Sequence, residues 1–247
     1  MSQNVLYPPP VGSPVEFDAR VDQQGKSKPS GSLLIGKLIV TIGAALGVIA
    51  VLASAWLGAP PTTEDPLEIG TVIVVMDVSL SMEAKDLPQS RFEATQAAAK
   101  QFAESLPAEV KVGLVIYAAM ATVVVEPTVD RMAFASAIDG LHLAQSTAIG
   151  DAIYTALEVI DDSGETGPAA IVLIGDGESN IGRGSLDAAK QAGQAGVPIY
   201  TIAVGTSAGA IFDDRESPIP VPVNRVELLD IARASGGQSY AAESSDQ

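Results

Sequence analysis

The chain has 247 residues, with 14 basic against 30 acidic side chains, a formal net charge of −16 and no cysteine. Disulfides and thiolate-held zinc or iron centres are therefore excluded, and the acidic balance argues against nucleic acid as a partner. The length fits one ordinary domain plus extra segments.

Charge is unevenly placed along the chain. Residues 1–59 hold four basic and three acidic side chains, whereas residues 60–247 hold ten basic and 27 acidic. The larger part is thus built for solubility or for cation binding.

Residues 1–32 are rich in Pro, Ser, Gly and Gln, including Pro8-Pro9-Pro10, and read as a disordered tail. A strongly apolar stretch follows over 33–57, and from Leu38 to Leu57 it contains no charge, which is long enough to span a bilayer. It has no polar face of the kind a core helix in a soluble domain shows. Lys26, Lys28 and Lys37 precede it, Trp56 sits at its far end, and Glu64, Asp65 and Glu68 come after. The positive-inside rule then puts the N-terminus in the cytoplasm and everything after Pro60 outside it. A cleaved signal peptide ending near Ala53-Ser54-Ala55 is the competing expectation, but the polar lead is long and the apolar run exceeds the usual length, which favours an uncleaved anchor. Residues 58–68 form a Pro-containing linker.

The remaining domain, 69–242, alternates strand and helix patterns, with a short tail over 243–247. Thr71 to Met76 is an apolar run of the type buried on both faces of a sheet, ending at Asp77. Ser90-Arg91-Phe92-Glu93 is a capping-box pattern that opens a helix stopped by Pro107. Val110–Ala118 and Thr122–Val125 read as a strand pair turning around Ala119-Met120. Asp130 caps a helix that ends at Gly140, and Gly150 to Ile160 is a further helix with Ile153, Leu157 and Ile160 on one face. Ala169–Ile174 is a second buried strand leading to Asp176, followed by a helix over 184–195 and a strand from Pro198 to Val204. Asn224 opens a last helix closed by Gly236, before a short strand from Gln238 to Ala241. Strands separated by single helices predict an α/β fold: a doubly wound, mostly parallel central sheet with helices on both faces.

Two buried strands thus end in carboxylates at the edge where open α/β sheets place their ligands. Asp77-Val78-Ser79-Leu80-Ser81 puts one carboxylate and two hydroxyls on one loop. These are hard oxygen donors suited to Mg²⁺ or Mn²⁺, with too little charge to saturate a divalent ion. Asp176 belongs at the same edge, and Thr147, in the loop entering a helix, is a third hydroxyl candidate whose alternative role is a helix N-cap.

The pattern Asp77-x-Ser79-x-Ser81, Thr147 and Asp176-Gly177, in this order, resembles the metal-ion-dependent adhesion site of von Willebrand factor A domains, over about residues 68–242. More narrowly, Ser81-Met82, Asp86 and Arg91, Thr147 to Ile153, and Gly236-Gly237 are similar to the membrane-anchored bacterial Bat type, associated with MoxR-type ATPases. The resemblance implies a non-enzymatic interaction module that is functionally linked to such an ATPase. Its metal would be ligated by Ser79 and Ser81, variably by Thr147, and by Asp77 and Asp176 directly or through water. A carboxylate of a protein partner would complete the shell, in a role in envelope maintenance or complex assembly. Gly175 departs from the family pattern, where Thr or Ser is common, which puts a supporting hydrogen bond in question.

Two other readings compete. A Mg²⁺-dependent phosphohydrolase also uses strand-end aspartates, but an aspartyl-nucleophile enzyme usually has a second Asp where this chain has Ser79, and no phosphate-binding Gly-x-x-x-x-Gly-Lys loop is present. A structural scaffold with a degenerate metal site is the other. Glu83 and Asp86 read as solvated, and an Arg91–Asp86 surface pair is expected to contribute at most about 1 kcal/mol. His142, the single histidine, has no nucleophile constellation around it. The loop from Thr206 to Val223, with a possible hairpin over 211–219, is a second candidate contact surface.

Overall fold

In the computed structural model, Val72, Val74 and Met76 of the first strand face one side of a sheet and Ile73 and Val75 the other, and all five are buried. That double burial is why the segment is continuously apolar rather than alternating. The structure describes residues 70–164, 167–213 and 215–242. The tail, the apolar run over 33–57, the linker and residues 243–247 lie outside them. Among the described residues no helix is long and apolar enough to cross a membrane.

In chain order the elements are β1 (Thr71–Asp77), a 3-10 turn (Leu80–Glu83), α1 (Arg91–Ser105), β2 (Lys111–Tyr117), β3 (Ala121–Thr128), α2 (Arg131–Asp139) and α3 (Ile149–Asp162). Then come β4 (Ala169–Gly175), α4 (Ser185–Gln194), β5 (Ile199–Val204), β6 (Ala210–Phe212), β7 (Pro218–Pro220), α5 (Arg225–Ser235) and β8 (Ser239–Ala242). Six strands form one sheet in the order β3-β2-β1-β4-β5-β8, parallel except for β3, which pairs antiparallel with β2. The doubly wound, mostly parallel expectation holds.

Helices α1 and α2 cover one face through Phe102, Phe134 and Ile138, while α3, α4 and α5 cover the other through Ile153, Ala189 and Ile231. Full burial of each of the Phe and Ile side chains among these contributes about 1.5–3 kcal/mol. Local signals were sound: Ser90 and Glu93 form the reciprocal capping box, Asp130 accepts from two backbone amides, and Gly236 ends α5 at φ 83°. β3 runs past Val125 to Thr128 and takes Pro127 with it, which an edge strand permits. The hairpin in the 206–223 loop is present as β6 paired with β7.

The parallel arrangement has one consequence for chemistry. β1, the central strand, is flanked by β2 and β4, so Asp77 ends beside Tyr117 and the β4 exit carries Gly175-Asp176.

Candidate metal centre

Asp77 closes β1 with no exposed surface, and its Oδ1 accepts the Ser79 amide at 2.7 Å. That bond is an Asx-type turn, which bends the chain directly after the strand. The 3-10 turn follows, with the Met82 amide donating to the Ser79 carbonyl and the Met82 side chain buried as its anchor. Ser79 and Ser81 consequently face each other, Oγ to Oγ at 2.9 Å.

A second loop meets the first. The Ala144 amide donates to the Val78 carbonyl at 2.8 Å, and Ser79 and Ala144 form a parallel bridge. Ser146 then turns through φ 68° and delivers Thr147, which is buried. Thr147 is tied to the loop after β4: its amide donates to Asn180 Oδ1 at 3.0 Å and its carbonyl accepts the Asn180 and Ile181 amides. Helix α3 has Ala148 as its N-cap without a side-chain bond, so the Thr147 hydroxyl is not used in capping.

The third loop begins at Asp176, fully buried, whose Oδ1 accepts the Glu178 amide at 3.1 Å. Its backbone carbonyl accepts the Asn224 amide at 2.7 Å, which seats the start of α5 on this loop. Gly177 is required there, because φ is 80° and a β-carbon would overlap the Asn224 carbonyl. All five residues singled out by the sequence pattern, Asp77, Ser79, Ser81, Thr147 and Asp176, therefore lie on three interlocked loops at the C-terminal edge of the sheet.

Arg91 is the residue that sequence reasoning misjudged. It is not a surface group: its side chain is fully buried, with Nε and Nη2 donating to the two Asp86 oxygens at 2.9 and 2.7 Å and Nη1 reaching Asp176 Oδ2 at 3.3 Å. Nη2 also donates to the Val221 carbonyl at 2.9 Å. Gly205 and Gly209 make this possible, because a β-carbon at either would collide with the guanidinium. Asp86, far from solvated, keeps only 10 % of its side-chain surface and also accepts from the Thr206 amide and hydroxyl. Burial works to raise its pKa, but Arg91 and Thr206 prevail and hold it down at about 2. No sequence signal marked it: the two glycines after β5 matter for the space they leave, which is invisible without the fold. Glu83 and His142 are exposed, and neither belongs to the site.

Electrostatics separate the carboxylates. Asp77 is pushed up to about 7, first by burial and then by the Asp176 charge, against the lowering effect of Ser79 and the Tyr117 hydroxyl. Its Oδ2 is buried with no hydrogen-bond partner. An unpartnered buried carboxylate oxygen beside a second carboxylate is costly unless a cation arrives or a proton stays. The donor set is two carboxylates and three hydroxyls, and among the described residues no group of three His, Cys, Asp or Glu is placed to hold a metal. That composition fits a hard divalent cation held with coordination to spare, and it does not fit zinc. Beside Asp176, the loop 178–185 with Asn224 and Glu227 borders an open cleft of 320 Å³. It lies at the small end of ligand-pocket sizes.

The profile of the von Willebrand factor type A domain family matches residues 72–178, a span that contains all five candidate ligands. A UPF0353 protein of Nocardia farcinica is 36 % identical over 240 residues, covering 89 % of this chain and 68 % of the relative. Another, of Mycolicibacterium vanbaalenii, is 42 % identical over 197 residues, and the chain spans 58 % of its length. Among solved structures, an aerotolerance-related membrane protein of Bacteroides fragilis aligns with TM-score 0.65 and 25 % identity, over 70 % of this chain and 91 % of that one. BatB of Bacteroides thetaiotaomicron aligns with TM-score 0.65 and 26 % identity, over 71 % and 91 %.

Proposed function

The chain belongs to the UPF0353 family and carries a von Willebrand factor type A domain, and from that premise we propose that it is a membrane-anchored, divalent-cation-dependent protein-interaction module. The observation that carries this reading is the buried, unpartnered Asp77 Oδ2 beside Asp176, on loops that also present Ser79, Ser81 and Thr147. Mg²⁺ or Mn²⁺, when bound, supplies the Lewis acid to which a partner's carboxylate attaches. The protein's own part is positional. Ser79 and Ser81 offer neutral oxygens from one turn, Thr147 is held by Asn180 between the other two loops, and Asp77 and Asp176 bring the charge. Because Arg91 already offsets part of the Asp176 charge, the two carboxylates leave a divalent ion under-neutralised, and an acidic ligand completes the balance.

The reading is non-enzymatic, in keeping with the von Willebrand factor type A domain and the likeness to Bat-type proteins. The apolar run over 33–57 would place the domain outside the cytoplasmic membrane, and the likeness to Bat-type proteins points to a role in envelope maintenance or complex assembly with a functional link to a MoxR-type ATPase. A reporter fused after Gln247 tests the topology: activity of an extracytoplasmic reporter supports it, and that of a cytoplasmic reporter refutes it.

Calorimetric titration of the full chain with Mg²⁺ tests the site. Binding near one equivalent that is lost in Asp77→Ala is expected. The Arg91–Asp176 pair favours a second reading, a scaffold in which the guanidinium permanently replaces the metal. Absence of heat in the native chain, with normal folding, would select it.

A further inference from the structure

The space over Gly175 is not empty. A β-carbon built there overlaps the Tyr117 hydroxyl and lies 2.9 Å from Asp77 Oδ2, so both oxygens converge on the place that a side chain at 175 would fill. Both are buried, and neither has a hydrogen-bond partner. Tyr117 is the residue directly opposite Asp77 in the parallel β1–β2 pair, and its carbonyl accepts the Val78 amide at 3.0 Å, so its backbone is fixed to the metal loop. Asp77 Oδ1 is already held by the Ser79 amide, which leaves Oδ2 as the oxygen whose direction must be set by something else.

We propose that Tyr117 is the positioning residue of the candidate metal centre: its hydroxyl donates to Asp77 Oδ2 across Gly175, in place of a hydroxyl side chain at position 175. The phenol suits this task, since a tyrosine hydroxyl can both donate and accept a hydrogen bond and is placed by the fixed β1–β2 register. Donors that orient a metal-binding carboxylate act through geometry, and their loss typically weakens metal affinity 10- to 100-fold. Gly175 is then no defect, because a larger residue there would compete with the phenol for one site. The inference rests on the cation-binding reading for its metal consequence, whereas the proposed hydrogen bond itself needs no metal.

The test uses the full chain as wild type, Tyr117→Phe and Tyr117→Phe/Gly175→Ser, melted in EDTA and titrated with Mg²⁺. Tyr117→Phe keeps the ring in the core and removes only the oxygen. It is expected to lower the melting temperature in EDTA by roughly 2–8 °C and to weaken Mg²⁺ binding by about tenfold or more. The double variant, which returns a hydroxyl from the neighbouring strand against a close β-carbon contact with Asp77, is expected to recover part of both. A Tyr117→Phe protein that melts and binds like wild type overturns the proposal, as does a double variant that folds but recovers neither quantity. Wild-type chain that takes up no Mg²⁺, while the EDTA pattern of loss and recovery holds, refutes the metal reading and leaves the Tyr117–Asp77 contact supported.

Discussion

Replacing Arg91 by Met keeps most of the side chain's apolar length and removes the guanidinium that faces Asp86 and Asp176. The structure says what is stranded. Asp176 Oδ2 loses its charged partner, Asp86 keeps Thr206 but loses both guanidinium bonds, and the Val221 carbonyl loses its donor. Breaking a buried pair in this way costs about 3–5 kcal/mol. That is a large share of a total stability of about 5–15 kcal/mol. With a urea m-value of about 2 kcal/mol/M, the unfolding midpoint of metal-free protein should fall by roughly 1.5–2.5 M. Asp86→Asn in the same background should cost less than the sum of the two single changes, since the second change removes a charge the first left unpaired. Mg²⁺ should stabilise Arg91→Met more than it stabilises wild type, because Asp176 is then unbalanced. A midpoint shift below about 0.3 M, or strict additivity with Asp86→Asn, would refute the reasoning that this node is a buried and coupled ion cluster.

Other expectations follow from the same geometry. Asp77 has a folded pKa near 7 against 3.8 for the ordinary group, raised by burial and then by Asp176, so the folded state keeps a proton that the unfolded state has lost. Its contribution to metal-free stability is fully present below about pH 4 and is lost as pH rises to about 7, which urea midpoints in EDTA at pH 5 and pH 8 would read. Mg²⁺ affinity should run the other way, rising up to about tenfold per pH unit until about pH 7 and then levelling, as measured by calorimetry. Gly150→Ala should destabilise by about 1–3 kcal/mol in urea unfolding despite the better helix propensity, because a β-carbon there collides with the Arg183 carbonyl and pushes the 178–184 loop off α3.

Much of this domain is legible in one dimension because its signals are local. The continuous apolar runs of β1 and β4, the Ser90–Glu93 box and the Asp130 and Asn224 caps each follow from neighbours within a few residues. The five candidate ligands are legible for a related reason: each lies at the end of a strand or the entrance of a helix, and parallel topology carries such ends to one edge. What sequence could not supply is the depth of the supporting contacts. Arg91 looks like a charged residue in the first turn of a helix, and only the approach of Gly205 and Gly209 from after β5 shows that it is enclosed. Tyr117 looks like an ordinary strand aromatic until the β1–β2 register sets it opposite Asp77. Asn180, which holds Thr147, is one polar residue among several in a loop. In all three cases the deciding distance is between residues far apart in sequence and set by sheet register, which periodicity does not encode.

On the proposed reading, Ser79, Ser81 and the two aspartates hold a divalent cation with a coordination position left for a partner. Anomalous diffraction from crystals of the protein grown with Mn²⁺ tests it most directly. One peak is expected in contact with Ser79 Oγ and Ser81 Oγ, near Asp77 and Asp176, with at least one remaining position open to solvent or filled by a carboxylate from outside the domain. Well-ordered loops with no peak there, or an ion enclosed entirely by this chain's own oxygens, would contradict it.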